Sequence, residues 1–116
     1  MTNQTYPTDH SGTTANLSYT FDAMGRLNTV TDNIATQTIV TAATYGPANE
    51  TLSIAGGTYF GAWAGETRTY NSLKQLTALA SGALSINYTF PSTYNNGKIS
   101  SQTDTVSGET VTYTYL

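Results

Sequence analysis

The sequence contains no cysteine and only one histidine in its 116 residues. Without cysteine, disulfide bonds and cysteine-ligated zinc are excluded. The single histidine, His10, lies between Asp9 and Ser11, but a catalytic relay needs such groups to converge in space, which adjacency in sequence does not provide. The chain also lacks an HExxH motif, a phosphate-binding glycine motif and an Asp-rich calcium loop. We therefore expect no enzymatic activity, no metal site and no cofactor.

Charge is also scarce. Charged residues make up 9% of the chain, against roughly 25% in an average protein. No lysine or arginine lies between Arg26 and Arg68, and the net charge is −3. A groove that follows nucleic-acid phosphates needs clustered cations, so we expect no binding of nucleic acid. Low charge also argues against the highly charged kind of intrinsic disorder.

Long apolar runs are absent. None approaches the roughly 18 residues that predict a transmembrane helix, so we expect no membrane span. The N-terminal residues lack the basic start and apolar stretch of a signal peptide. By length, the chain is at most one domain.

Threonine and tyrosine are abundant instead, with 24 and nine residues. Both favour β-strands, and the shortage of Leu, Lys and Glu argues against helix bundles. Strict alternation of apolar or aromatic with polar residues occurs in residues 16–21, 84–90 and 110–115. A period of two with aromatic and β-branched residues predicts half-buried strands.

A unit built of such a strand and a following turn recurs along the chain. Its clearest copy is residues 19–32, where Phe21 is followed by Asp22, then by residues 25–27 (Gly-Arg-Leu), then by Val30. The aromatic position recurs at intervals of 24, 25, 20 and 25 residues, which is typical of repeat architectures. The aromatic residues are Phe21, Tyr45, Tyr70, Phe90 and Tyr115.

The other positions of the unit vary more. The residues that follow the aromatic are Asp22, Gly46, Asn71, Pro91 and Leu116. The residues at the Gly-Arg-Leu position are Gly25-Arg26-Leu27, Asn49-Glu50-Thr51, Lys74-Gln75-Leu76 and Gly97-Lys98-Ile99. The fourth copy fits if three residues are inserted around Thr93-Tyr94-Asn95. The later apolar position is occupied by Val30, Ile54, Leu79 and Gln102. The structural positions that we assign to the repeat signature are Tyr19, Phe21, Asp22, Gly25, Arg26, Leu27, Val30, Tyr45, Ile54, Tyr70, Asn71, Leu76, Leu79, Tyr88, Phe90, Gly97, Lys98, Ile99, Tyr113 and Tyr115.

The first copy resembles the RHS/YD repeat, which is named for the Tyr-Asp pair of its signature. Phe21-Asp22 stands here where Tyr-Asp is usual, and the resemblance spans about residues 16–115. It implies a strip of antiparallel hairpins that spirals into a hollow shell, as in insecticidal toxin complexes, polymorphic toxins and teneurins. It further implies a structural, non-catalytic role in a secreted or cell-surface bacterial protein. Its implied partners are the neighbouring repeats of the parent chain and a C-terminal toxin as cargo.

The predicted fold class is all-β, with consecutive antiparallel hairpins in a strongly twisted or spiralling sheet that is part of a larger shell or barrel. Residues 1–116 would form a single module of about four to five hairpins, with residues 1–15 as a less regular lead-in. Leu116 stands where the unit calls for Asp, which indicates a cloning remnant at the end of a fragment. Such a sheet has two open edges, so we also expect strong curling or self-association through edge strands.

The turn residues allow specific hypotheses. Asp22 precedes Gly25 by three positions and suits a tight turn, in which the carboxylate accepts backbone N–H bonds and forms a local ion pair with Arg26. The alternative is that Asp22 is a ligand-binding carboxylate. Asn96-Gly97 is the strongest short hairpin signal in the chain.

One spacing does not fit a plain strand. Leu27 and Val30 are three residues apart, as are Leu76 and Leu79, which suits one face of a helix. Gly, Thr and Asn around them disfavour a helix. A β-bulge in the return strand, or burial on both faces, would reconcile the spacing with a strand.

Residues 55–65 contain four glycines and three aromatics without a charge. One interpretation is a hairpin whose glycines permit close packing or a bulge. The other is an aromatic platform that binds a glycan through Tyr59, Phe60 and Trp63, with Tyr70. Glu66 and Arg68 follow on the face that ends in Tyr70, either as a pair along the strand or at an exposed edge.

Overall fold

A computed structural model describes residues 2–58 and 65–116. These residues form ten strands in one sheet, in which each strand pairs antiparallel with the next along the chain. The described residues contain no helix, and therefore none long and apolar enough to cross a membrane. The all-β prediction of consecutive antiparallel hairpins is confirmed. The strands are β1 (Thr2–Thr5), β2 (Asn16–Phe21), β3 (Leu27–Asp32), β4 (Gln37–Tyr45), β5 (Thr51–Gly56), β6 (Glu66–Tyr70), β7 (Leu76–Ser81), β8 (Leu84–Thr89), β9 (Ser101–Asp104) and β10 (Thr110–Thr112).

The three alternating segments lie in strands β2, β8 and β10. Strand β8 ends at Thr89, one residue before Phe90, and β10 ends at Thr112. Beyond β10 the ladder continues by one bond, since the amide of Tyr113 donates to the carbonyl of Ser100 at 2.9 Å. The N-terminal segment, expected as a less regular lead-in, contributes β1, which pairs with β2.

The two faces of the sheet have different chemistry. On one, the aromatic face, Tyr19 pairs across the strands with Val30. On the other, the threonine face, the hydroxyls of Thr20 and Thr29 lie 2.6 Å apart. Similar hydroxyl pairs join Thr44 to Ser53 (2.6 Å) and Thr103 to Thr110 (2.9 Å). Period-two alternation therefore segregates Tyr, Val and Leu from Thr and Ser, as expected for strands.

The core is thin because one sheet has no second layer to cover it. Val30, at 8% exposure, is the buried hydrophobic residue of the described chain. Large side chains of the aromatic face, such as Leu79 and Ile86, are half-buried against neighbouring strands. Much of the hydrophobic contact therefore runs from one hairpin to the next.

Beta-bulges explain the three-residue spacing. Leu27 pairs with Phe21 and Thr29 with Thr20, so Asn28 is an extra residue in β3. An extra residue in one strand shifts the alternation by one, which brings Leu27 and Val30 to the same face. The same shift occurs in β7, where Leu76 pairs with Tyr70 and Ala78 with Thr69. The bulge hypothesis is thus confirmed for both pairs.

Two glycines of the 55–65 segment allow close backbone approach. The amide of Gly57 donates to the carbonyl of Ile39 at 2.9 Å, and a Cβ on Gly57 would overlap the carbonyl oxygen of Thr38. Gly65 has a φ of 90°, and a Cβ there would overlap the carbonyl oxygen of Ile54. Close packing, the first interpretation of this segment, applies at both positions.

Candidate functional site: a row of interlocked turns

Four hairpin turns lie side by side at one end of the sheet. They connect β2 to β3, β4 to β5, β6 to β7, and β8 to β9. Because successive antiparallel strands alternate in direction, every second connection lies at the same end. We call these connections turns 1 to 4, and together the turn row. Most positions of the repeat signature lie in the turn row or in the strands directly behind it.

Turn 1 is held by Asp22. The amide of Asp22 donates to the carbonyl of Arg26 (2.8 Å), and that of Gly25 donates to the carbonyl of Asp22 (3.0 Å). Carboxylate oxygen Oδ1 accepts the amides of Met24 and Arg26, both at 2.9 Å, and Oδ2 accepts Nε of Arg26 at 2.7 Å. Both oxygens are therefore engaged inside the turn. Gly25 adopts a φ of 77°, which glycine reaches without steric cost.

The same contacts lower the pKa of the Asp22 carboxyl. The main cause is the hydrogen bond from the Arg26 amide, followed by the Arg26 side chain and the Met24 amide, which together outweigh partial burial. Hydrogen bonds to the charged form stabilise it. Turn 1 therefore favours an ionised Asp22.

Turn 3 repeats this arrangement with an amide. Oδ1 of Asn71 accepts the amides of Leu73 (2.9 Å) and Gln75 (3.0 Å), as Asp22 does in turn 1. Its Nδ2 donates to Oε1 of Gln75 at 2.7 Å, replacing the Asp22–Arg26 ion pair. Lys74 takes the positive φ of Gly25, at 61°. The turn thus needs a short side-chain acceptor, which either Asp or Asn supplies.

Turn 2 has Gly46 at the Asp position and takes its carboxylate from Glu50. A Cβ built on Gly46 would overlap the carboxylate of Glu50, so this carboxylate occupies the space of the missing side chain. Oε2 of Glu50 accepts the amide of Ala48 at 2.8 Å, the counterpart of the Met24 bond in turn 1. The side chain of Lys74 is the main cause of a lowered pKa at Glu50. The sequence signal for this replacement is an acidic residue, Glu50, four positions after the glycine that occupies the Asp position.

Turn 4 is longer. Tyr94 and Gly97 have φ angles of 56° and 84°, and the amide of Gly97 donates to Oδ1 of Asn95 at 3.0 Å. The amide of Lys98 donates to Oδ1 of Asn96 at 3.1 Å. Asp22 lies three residues before Gly25, and Tyr94 lies three residues before Gly97. Tyr94 therefore occupies the Asp position of turn 4, and residues 91–93 are the insertion. Two asparagine side chains here share the role that one residue has in turns 1 and 3.

Tyrosines at three of the aromatic positions bond to the preceding turn. The hydroxyl of Tyr45 donates to the carbonyl of Leu27 at 2.7 Å, and that of Tyr70 donates to Thr51 at 3.1 Å. Tyr115 does the same to Ile99 at 2.9 Å. We call the position of Asp22 and its equivalents Gly46, Asn71 and Tyr94 the Asp slot. All three acceptors hold the same position, five residues after the Asp slot of the previous copy. We call these bonds tyrosine latches; Phe90, at the fourth aromatic position, has no hydroxyl with which to form one.

Cations lie over two of the latched rings. The guanidinium carbon of Arg26 is 4.6 Å from the ring centre of Tyr45, and Nζ of Lys98 is 4.7 Å from that of Tyr115. Such contacts contribute about 0.5–1 kcal/mol at exposed sites. Arg26 therefore stabilises its own turn through the ion pair with Asp22 and contacts the next hairpin through the ring of Tyr45.

Side chains also join each turn directly to its neighbour. Nη1 of Arg26 donates to Oδ1 of Asn49 at 3.2 Å, which joins turns 1 and 2. Lys74 and Glu50 form an ion pair at 2.7 Å, which joins turns 2 and 3. Reciprocal amide bonds of 3.0 and 2.8 Å between Gln75 and Asn95 join turns 3 and 4. The turn row is thus continuous from turn 1 to turn 4.

The strand register repeats with the turns. The eighth residue after each Asp slot, which we call the spine residue, pairs within its hairpin with the residue three before the slot. In the fourth copy, residues before the three-residue insertion are counted from Pro91 and residues after it from Tyr94. These pairs are Val30 with Tyr19, Ile54 with Ala43, Leu79 with Arg68, and Gln102 with Tyr88. On its other side the spine residue pairs with the residue five before the next slot. These pairs are Ile54 with Glu66, Leu79 with Ile86, and Gln102 with Val111, while Val30 pairs with Val40 beside a register shift.

The glycan hypothesis lies mostly outside the described residues. Tyr59, Phe60 and Trp63 belong to that part of the chain. Tyr70, the fourth aromatic of the hypothesis, is half-buried and its hydroxyl forms a latch. Next to it, Glu66 and Arg68 form an ion pair along β6, which is the first of the two alternatives for these residues.

His10 lies in an exposed turn at the other end of the sheet. Its neighbour Asp9 accepts the amide and hydroxyl of Ser11 (2.9 and 2.7 Å) and the amide of Thr13 (2.8 Å). Asp9 thus organises its own turn. In residues 2–58 and 65–116, no group of three or more His, Cys, Asp or Glu side chains is placed to hold a metal ion.

No protein-family model matches the chain, and no curated protein matches it.

Proposed function

We propose that this chain is a structural, non-catalytic module, a strip of β-hairpins that forms part of a larger hollow shell. The observation that carries the proposal is the repeated link between hairpins. Each latch bonds an aromatic position to the preceding turn, and the spine residues Ile54, Leu79 and Gln102 pair in the same register on both sides. A unit that is completed by its neighbours is suited to building a long continuous wall.

The resemblance of residues 19–32 to the RHS/YD repeat supplies the second part of the proposal. The parent protein would be a secreted or cell-surface bacterial protein whose shell encloses a C-terminal toxin or effector. The thin core supports this role indirectly, because Val30 is the buried hydrophobic residue of the described chain and further repeats would add stacking contacts.

Protease protection tests this proposal on a longer chain with further repeats and the C-terminal domain. We expect the C-terminal domain to resist a protease that cleaves the same domain when it is expressed alone. A C-terminal domain that is digested at the same rate in both forms, while the repeats stay folded, would contradict enclosure.

Glycan binding or adhesion is the second candidate, and it rests on the aromatic content of the chain. In the described residues, Tyr6, Phe21 and Tyr94 are exposed by 39%, 48% and 94%. Trp63 is the single tryptophan, so its fluorescence reports on the proposed platform. A change in emission that saturates with one glycan of a panel supports this function, and an unchanged spectrum across the panel argues against it.

A further inference from the structure

The two edge strands of the sheet are open. Within residues 2–58 and 65–116, no strand pairs with the outer side of β1 or of β10, and every residue of both strands is exposed. Neither strand contains a charged residue or a proline. Natural proteins usually block edge strands with such residues, because unpaired N–H and C=O groups attract other strands. Both edges are therefore free to accept a strand.

We propose that β10 of one copy of this chain pairs with β1 of a second copy, head to tail, with Tyr113 opposite Gln4. Repetition of this contact would extend the sheet from copy to copy without closing it. The inference rests on strand register and does not depend on the proposed shell.

The repeat register points to this pairing. Gln4 pairs with Leu17, five residues before the Asp22 slot, and is therefore a spine residue. Val111, Tyr113 and Tyr115 correspond to Leu17, Tyr19 and Phe21 of the first copy. Strand β10 thus corresponds to the first strand of a hairpin, and β1 corresponds to a return strand. The hairpin rule, in which Tyr19 pairs with Val30, then puts Tyr113 opposite Gln4 of the second copy.

The hydrogen-bonding groups agree with this register. The amide of Tyr113 points inward to Ser100, and that of Tyr6 points inward to Ala15. Because these groups alternate along an antiparallel strand, Thr112 and Thr5 present theirs outward. Setting Tyr113 opposite Gln4 puts Thr112 opposite Thr5, so the outward groups of the two strands meet. A shift by one residue would set outward groups against inward ones.

Apolar side chains on both edges also meet in this register. Val111 is 45% exposed and Tyr6 is 39% exposed. The register puts them opposite each other as a non-hydrogen-bonded pair, the kind whose side chains lie closer together. Aromatic and β-branched residues are a favourable cross-strand pair. A second copy therefore covers an exposed side chain at each edge.

Disulfide trapping tests the pairing, since the chain has no cysteine of its own. Tyr6→Cys and Val111→Cys are made as separate proteins and oxidised alone and as a mixture. A non-hydrogen-bonded pair has its Cα atoms about 4.5 Å apart, within the range that disulfides span. We expect a mixed dimer from the mixture, well above the yield from either protein alone or from the mixture in urea. Equal yield from one protein alone, or no excess over the urea control, would overturn the proposal.

Two control variants test the register and the hydrogen bonds. Thr5→Cys replaces Tyr6→Cys with a thiol on the threonine face, and we expect its mixed dimer with Val111→Cys to fall to the urea background. Thr112→Pro, added to Val111→Cys, removes an outward N–H and keeps the inward bond of Tyr113. We expect it to abolish the mixed dimer while circular dichroism stays unchanged. A dimer that persists at full yield in either control would contradict the register.

Sedimentation of the unmodified chain tests the head-to-tail pairing without any substitution. We expect the mass to rise with concentration beyond that of a dimer, as an open head-to-tail contact requires. A chain that stays monomeric, or that stops at a dimer, would overturn the inference.

Discussion

At the scale of the residue, a tyrosine at the aromatic position connects two hairpins. Its ring lies in one strand, and its hydroxyl donates to the backbone of the preceding turn, as Tyr45 does to Leu27 and Tyr70 to Thr51. A phenylalanine can supply the ring but not this bond. The aromatic position thus carries a ring in every copy and a latching hydroxyl only where tyrosine occupies it.

Removing one latch should weaken the sheet measurably. We expect Tyr45→Phe to lower the free energy of unfolding by about 0.5–1.5 kcal/mol, the usual net contribution of one hydrogen bond. Urea denaturation followed by circular dichroism measures it. Tyr94→Phe is the matched control, because Tyr94 is 94% exposed and should not change stability. Equal losses from the two variants would argue against the latch.

At the fourth aromatic position a latch can be added by replacing phenylalanine with tyrosine. Phe90→Tyr adds a hydroxyl where the repeat would bond it to the carbonyl of Leu76, the residue equivalent to Leu27 and Thr51. We expect stability to rise by a similar amount, about 0.5–1.5 kcal/mol, in the same urea measurement. A loss of stability would show that the insertion in turn 4 has moved this position away from its acceptor.

The carboxylates of turns 1 and 2 predict an acid-sensitive fold. Asp22 has a pKa below its ordinary 3.8 and Glu50 one below its ordinary 4.5. A lowered folded pKa stabilises the fold above the ordinary value, and this contribution is lost as pH falls through the folded pKa. We expect the melting temperature to be highest above pH 4.5, to begin to fall below pH 4.5 through Glu50, and to fall further below pH 3.8 through Asp22. Asp22→Asn should reduce this fall, and an unchanged pH profile in that variant would contradict the assignment.

At the scale of the element, each turn needs a side-chain acceptor but not one fixed residue. Asp22 and Asn71 supply it from the Asp slot, whereas Glu50 supplies it from four residues later, into the space beside Gly46. Aligning the copies residue by residue does not reveal this exchange, because the acceptor comes from a different position in turn 2. The turn conserves an acceptor in space, while the sequence position of that acceptor changes.

Turn 2 can be rebuilt on the pattern of turn 3. Gly46→Asn alone should destabilise the protein, because its side chain enters the space of the Glu50 carboxylate. Gly46→Asn with Glu50→Gln reproduces the Asn71–Gln75 pair, so we expect the second change to restore most of the lost stability. A double-mutant cycle by urea denaturation measures the coupling. Additive effects of the two substitutions would contradict the exchange.

Much of the fold follows from patterns that are local in sequence. The alternation in residues 16–21 and the recurrence of the aromatic positions predict strands, hairpins and their order. The spacing of Leu27 and Val30 was explained by a bulge. The latches, the role of Glu50 and the pairing of β1 were not predicted. These depend on which residues face each other across strands, which the alternation of a single strand does not determine.

At the scale of the whole molecule, the sheet is a linear series in which each inner strand contacts its two sequence neighbours and each edge strand contacts one. Stability in such a series is close to a sum of unit and neighbour terms. Its extent of 54 × 33 × 24 Å is that of an elongated strip. One repeat should therefore be interchangeable with the next, with the strand register carried over between them.

Deletion of residues 46–70 tests this claim most directly. It removes one full period, with β5 and β6, and joins Tyr45 to Asn71, so that an aromatic residue again directly precedes an Asp slot. We predict that the shortened chain keeps a β-sheet circular dichroism spectrum and a cooperative urea transition. Deletion of residues 46–57 is the control, because it removes β5 alone and reverses the direction of all later strands; we predict that it does not fold into the sheet. If the full-period deletion is as unfolded as the single-strand deletion, the hairpins are not interchangeable units.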